Sequence, residues 1–128
     1  MLLNRGDFKK LVAEGFDRIP GKFKNKIKNV ALVVEDWPSR ELLTSQGLGD
    51  NETLLGFYYG IPSTARGADY GVGPTLPDTI TIFQGPTEEE AGGDPERVRE
   101  IVKETIWHEY AHYFGIDDHG IEKLPRKF

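Results

Sequence analysis

One segment near the C-terminal end of the chain carries most of the local signals of a single long helix. Asp94 is a preferred N-cap, Pro95 is a preferred first helical residue, and Gly115 stands where a left-handed C-cap belongs. The sequence therefore predicts a helix from about Asp94 to about Phe114.

The apolar side of this helix contains a carboxylate. If His108 is set at 0° on a helical wheel, an arc between about 20° and 160° must face the core. That arc consists of Val98, Ile101, Val102, Thr105 and Ile106. Glu109 falls at about 100°, in the middle of the arc. Because an unpaired buried charge is costly, we expect a cleft there that holds a cation and water.

The same helix carries the pattern HExxH, formed by His108, Glu109 and His112. Positions i and i+4 lie one above the other on a helix, so both imidazoles can reach one ion. Glu109 projects close enough to contact a water on that ion. The pattern is typical of zinc-binding helices in which the glutamate is a general base. With no cysteine in the chain, a metal would be held by His, Asp and Glu, which suits zinc.

Three residues beyond the helix compete for the role of third metal ligand. On spacing alone, Asp118 ranks first, His119 second and Asp117 last. Two histidines and one carboxylate leave a fourth position for water, as in catalytic zinc sites. The predicted site thus combines Glu109 as the catalytic residue with three metal ligands, His108, His112 and Asp118.

The rest of the chain predicts one further helix, three strands and several loops. Apolar spacing predicts a helix over residues 7–19, with Asp7 as its N-cap. Strands are predicted over residues 29–35, 53–59 and 79–84. The first of these is nearly continuously apolar, so we expect it to be covered on both faces. Residues 63–78 and the acidic stretch 85–90 are predicted to be loops.

Composition limits the class of protein. A chain of 128 residues is expected to form a single domain, residues 1–128. No apolar run approaches the roughly 20 residues that cross a bilayer, and the first ten residues lack the apolar run of a signal peptide. The absence of cysteine fits a reducing cytoplasm, and a net charge of −5 argues against nucleic-acid binding. We therefore expect a cytoplasmic protein with neither nucleic acid nor membrane as a partner.

The stretch HEYAHYFGIDD resembles the extended zincin motif HExxHxxGxxH, with Asp118 in place of the last histidine. Together with GFYYGIPSTAR and LPDTITIF ahead of the helix, it makes residues 28–119 similar to the minimal zincins, a small family of zinc metallopeptidases. The resemblance implies an α+β fold in which a small mixed sheet packs on two main helices, with the metal in a cleft beside an edge strand. Metzincins are excluded, because they carry a methionine turn after the motif and the one methionine here is Met1.

Motif and resemblance together predict a zinc-dependent metallopeptidase that hydrolyses a peptide or protein substrate. Zinc would activate water, and Glu109 would accept its proton and pass it to the leaving amine. Because zincins generally bind substrate as a strand added to a sheet edge, residues 79–84 are predicted to supply that edge. The group that stabilises the tetrahedral intermediate stays open among Tyr58, Tyr59, Arg66, Tyr70 and Tyr113.

Two other functions remain open at this stage. The chain is small and lacks an obvious second lobe for a substrate cleft, which leaves a catalytically silent zincin-like module that binds peptides or protein partners. Hydrolysis of a non-peptide amide is a third possibility, because the chemistry is shared.

Overall fold

A computed structural model of the chain describes residues 2–25, 30–60 and 78–113. The helices are α1 (Arg5–Asp17), α2 (Gly21–Lys24), α3 (Arg40–Ser45), α4 (Gln84–Ala91) and α5 (Pro95–Tyr113). The strands are β1 (Val30–Glu35), β2 (Gly56–Tyr59) and β3 (Asp78–Phe83). The predicted loop over residues 63–78 lies almost wholly outside the described residues, as do Phe114 and the predicted C-cap Gly115.

The described strands form a mixed sheet in the order β1-β3-β2. β1 runs parallel to β3, and β2 runs antiparallel to it with Tyr58 opposite Ile80. The prediction that residues 79–84 supply a sheet edge is wrong, because β3 is paired on both sides. The prediction assumed that the strand preceding the long helix in the sequence lies at the edge of the sheet, but that strand, β3, is central. Among the described strands, the antiparallel edge is β2.

One face of this sheet packs on the two longest helices, α1 and α5. Ile80 and Ile82 of β3 are fully buried on that face. The predicted apolar arc of α5 is buried in the same core: Val98, Ile101, Val102, Thr105 and Ile106. A small mixed sheet on two main helices is the α+β architecture that the resemblance implied, so the predicted fold class is confirmed.

Local signals located the elements better than they located the element ends. α1 begins at Arg5 rather than at residue 7, because Asn4 is the N-cap and its Oδ1 accepts the N–H of Asp7 at 2.7 Å. β1 forms within the predicted range, but Val33 is 37% exposed and Glu35 is exposed as well. The expectation that this strand is covered on both faces is therefore wrong for these two residues.

The acidic stretch predicted as a loop is instead helix α4. Pro86 lies in the first turn of the helix, where proline is tolerated. Glu88 is only 5% exposed, and its carboxylate accepts the N–H of Leu3 at 2.8 Å and the Nε2–H of Gln84 at 3.0 Å. Gly92, with φ of 62°, ends the helix in the left-handed conformation. Glu88 can be buried in this helix because one donor from the distant Leu3 and one from Gln84 in the same helix satisfy its carboxylate.

The N-terminal residues are tied to the sheet and to α4 by polar contacts. Arg5 donates through Nη1 to the carbonyl of Val34 at 2.7 Å and through Nε to Oε1 of Gln84 at 3.0 Å. Gln84 in turn donates to the carbonyl of Leu3 at 2.8 Å. These bonds join the start of α1 to the end of β1 and the start of α4.

Candidate active site

The HExxH residues lie at the C-terminal end of α5, which is described as a continuous helix to Tyr113. The side chains of His108 and Glu109 are half-buried. Because the helical backbone continues through residue 112, positions 108 and 112 lie on the same side of α5. The side chain of His112 and the three candidates for third ligand, Asp117, Asp118 and His119, lie outside the described residues.

The carboxylate of Glu109 contacts the backbone of the edge strand. The N–H of Tyr58 donates to Oε1 of Glu109 at 3.1 Å. The N–H of Phe83 in β3 donates to the carbonyl of Leu55 at 2.9 Å, which makes Leu55–Phe83 a hydrogen-bonded pair. Hydrogen-bonded and non-hydrogen-bonded pairs alternate along β2 and β3 from that point. This alternation makes Tyr58–Ile80 a non-hydrogen-bonded pair and directs the Tyr58 N–H away from β3. The carboxylate therefore lies at the outer edge of β2.

The side chain of Tyr58 is held separately. Its hydroxyl donates to Oδ2 of Asp78 at 2.6 Å, and only 6% of Tyr58 and 8% of Asp78 are exposed. A hydroxyl–carboxylate bond of this length is charge-assisted and stronger than a neutral one. Asp78 is the first residue of β3, so the contact fastens β2 to the start of the central strand.

A glycine allows β2 to approach α5 closely. A Cβ atom at Gly56 would lie 2.7 Å from Cγ2 of Thr105 and 2.8 Å from the carbonyl oxygen of Thr81. Both distances are shorter than Cβ atoms tolerate, so any side chain here would push the strand away from the helix. Gly56 thus permits the spacing at which the Tyr58 N–H reaches Glu109.

Aromatic rings of α5 and β2 pack together next to the HExxH residues. Trp107, 3% exposed, stacks on Tyr110 with centroids 5.8 Å apart, and the Tyr58 ring meets Tyr110 edge-on at 6.4 Å. Burial raises the pKa of the Tyr110 phenol above its ordinary value, so this group is neutral at physiological pH.

The sequence predicted the position of Glu109 but not the Tyr58–Asp78 contact that lies beside it. It located Glu109 on the buried arc, and it named Tyr58 only among several donors for a reaction intermediate. Asp78 was not singled out, because nothing local relates it to a tyrosine 20 residues earlier. Tyr59 lies on the opposite face of β2 and is 68% exposed, which removes it from the candidate donors.

Comparison with protein families decides the classification. The profile of a family described as zincin-like metallopeptidase matches residues 27–127, which include the three described strands and the HExxH helix. The chain belongs to this zincin-like family. Comparison with curated proteins finds no match. In the described part of this zincin-like chain, no helix has the length and apolar character to cross a membrane.

The described residues contain only part of the predicted zincin-like metal site. Within residues 2–25, 30–60 and 78–113, no group of three or more His, Asp or Glu side chains could hold a metal ion. Of the predicted ligands, only His108 has a described side chain. What is described fits zinc: imidazole is a preferred zinc donor, the helix brings positions 108 and 112 to one side, and a carboxylate stands beside them.

Proposed function

We propose that this protein is a zinc-dependent metallopeptidase in which Glu109 is the general base. His108, His112 and Asp118 would hold Zn2+, with His119 and then Asp117 as the alternatives to Asp118. The observation that supports the proposal is the position of the Glu109 carboxylate, next to His108 on one helix and at the outer edge of an antiparallel strand. A base in that position can reach both a metal site on α5 and a peptide lying along β2.

The chemistry divides between the metal and the chain. Bound zinc supplies a Lewis acid that lowers the pKa of water and polarises a carbonyl group. Glu109 accepts a proton from the attacking water at a carboxylate oxygen and delivers it to the leaving amine.

We propose a peptide or protein as the substrate, bound as an additional strand against β2. The residues of β2 that form non-hydrogen-bonded pairs with β3 direct their backbone groups outward, as an added strand requires. Those groups belong to Gly56 and Tyr58. Glu109 already accepts the N–H of Tyr58, so we expect the substrate to pair with the carbonyl of Tyr58 and with Gly56. A cytoplasmic location is part of the proposal and is supported by the lack of cysteine.

The test combines metal analysis with a peptide-library cleavage screen. Protein purified without added zinc should contain one zinc per chain and cleave members of the library. Glu109→Gln should keep its zinc and lose hydrolysis by about 10²–10⁴-fold, the range typical of a general base. Glu104→Gln, on the same helix, is the matched control and should cleave like the wild type.

Two results would contradict different parts of the proposal. Hydrolysis retained by Glu109→Gln would contradict the role of Glu109 as base. Stoichiometric zinc without cleavage of any peptide would instead favour the catalytically silent zincin-like binding module.

A further inference from the structure

We propose that Tyr58 and Asp78 are positioning residues that fix the carboxylate of Glu109 for proton transfer. The inference rests on the proposed function for its catalytic consequence. Its structural content, that Asp78 acts on Glu109 through Tyr58, can be tested without catalysis.

Tyr58 contacts the base and its support at two separate points. Its backbone N–H donates to Oε1 of Glu109 at 3.1 Å, and its hydroxyl donates to Oδ2 of Asp78 at 2.6 Å. A carboxylate has several lone pairs and can rotate about its side-chain torsions, so a fixed backbone donor selects one orientation.

The hydrogen bond from the Tyr58 hydroxyl to Asp78 helps to hold β2 in place, because β2 is a short edge strand. β2 has four residues, and among the described strands it pairs only with β3. The position of the Tyr58 amide therefore depends on how firmly the Tyr58 side chain is held between the sheet and α5. Asp78 fixes the hydroxyl end of the ring, and Tyr110 meets the ring edge-on at 6.4 Å. A buried carboxylate also resists losing a donor, which keeps the Tyr58–Asp78 bond intact.

Displacement of a catalytic base is costly. A misplacement of about 1 Å can reduce a rate by about 10²-fold, because proton transfer requires a short and aligned contact. Loosening Tyr58 would displace Glu109 by less than that, so we expect an effect on the order of tenfold, equal to about 1.4 kcal/mol in the barrier. The loss should fall mainly on kcat, because proton transfer is more sensitive to the position of Glu109 than strand pairing is to a small shift of the Tyr58 carbonyl.

The kinetic test uses conservative pairs of variants. Tyr58→Phe and Asp78→Ala should each lower kcat by about tenfold with KM changed less than about twofold. Asp78→Asn keeps an oxygen that accepts the hydroxyl and should recover most of the activity. Tyr59→Phe, the neighbouring tyrosine on the other face of β2, should match the wild type. Unchanged kcat in both Tyr58→Phe and Asp78→Ala would overturn the inference.

An NMR measurement on metal-free protein separates this inference from the proposed function. Glu109→Ala should move the amide proton resonance of residue 58 upfield, since it removes the acceptor. In an Asp78→Ala background the same substitution should move that resonance less than half as far. An equal shift in both backgrounds would show that Asp78 does not act on Glu109. If the wild type hydrolyses no peptide, the proposed function fails, while the NMR result still decides whether Asp78 orients the carboxylate.

Discussion

A Cβ atom at Gly15 would lie 2.8 Å from the carbonyl oxygen of Arg99, so α1 crosses α5 at a point where only glycine fits. The same Cβ would lie 3.0 Å from Cβ of Val102, a fully buried residue on the core arc of α5. The two main helices therefore meet backbone to backbone.

Gly15→Ala should destabilise the protein. Alanine improves helix propensity by up to about 1 kcal/mol, but forcing apart a tight packing contact costs about 1–3 kcal/mol. We expect the packing cost to dominate because the obstacle is backbone, and thermal unfolding followed by circular dichroism measures it. Gly21→Ala is the control, since a Cβ there would meet nothing within 4 Å. Equal or higher stability of Gly15→Ala would mean that the helices do not cross this closely.

Gly56→Ala should affect both stability and the site. The added methyl group collides with Thr105 and with the carbonyl of Thr81, which separates β2 from α5 at a cost of about 1–3 kcal/mol. That separation should also move the Tyr58 amide away from Glu109. Denaturant unfolding and kcat measure the two effects. Gly49→Ala, whose Cβ would make only an ordinary contact 3.5 Å from Glu52, should show neither effect.

Glu88→Ala should destabilise the protein by about 1–3 kcal/mol, because it leaves two donors without their acceptor in a buried region. Those donors are the N–H of Leu3 and the side-chain amide of Gln84. Urea unfolding measures the loss, and Glu90→Ala on the exposed side of the same helix should have a midpoint close to that of the wild type. Equal midpoints for the two variants would contradict the buried role of Glu88.

Stability should fall in acid partly through Glu100. The ammonium of Lys103, at 2.9 Å, and then the guanidinium of Arg18, also at 2.9 Å, lower the pKa of the Glu100 carboxyl below its ordinary value. A lowered pKa stabilises the fold above the ordinary carboxyl pKa, and that contribution is lost as pH falls through the lower pKa of the folded state. Melting temperatures from neutral pH down to about pH 3 should therefore decline less for Glu100→Gln than for the wild type. Glu89→Gln should keep the wild-type decline.

The zinc affinities of alanine variants should identify the third metal ligand. Loss of a direct ligand should weaken binding by more than the 10–100-fold typical of outer-shell partners. We expect that loss in His108→Ala, His112→Ala and Asp118→Ala, measured by competition with a chelator. His119→Ala and Asp117→Ala should bind zinc nearly as tightly as the wild type. A larger loss in either of these two would reassign the ligand.

The sequence predicted those features that depend on neighbouring residues. The cap signals at Asp94 and Pro95 and the helical wheel of α5 are local, and both the helix and its buried arc were confirmed. The placement of Glu109 on that arc also followed from a wheel alone.

Features that depend on distant partners were not predictable in the same way. α4 is stabilised partly by the contact of Glu88 with Leu3, 85 positions earlier in the chain. The central place of β3 depends on pairing with two strands, and the link from Asp78 to Tyr58 depends on that pairing. Residue pattern describes the chemistry of each of these groups but does not say which ones meet.

The two tryptophans of the chain occupy opposite environments. Trp107 is 3% exposed and immediately precedes His108, whereas Trp37 is 49% exposed and packs against Gly85. A Trp37→Phe variant would therefore emit fluorescence from a single indole, one peptide bond away from a proposed metal ligand. Its emission would provide an optical signal of metal loading at the end of α5, with no external dye attached to the protein.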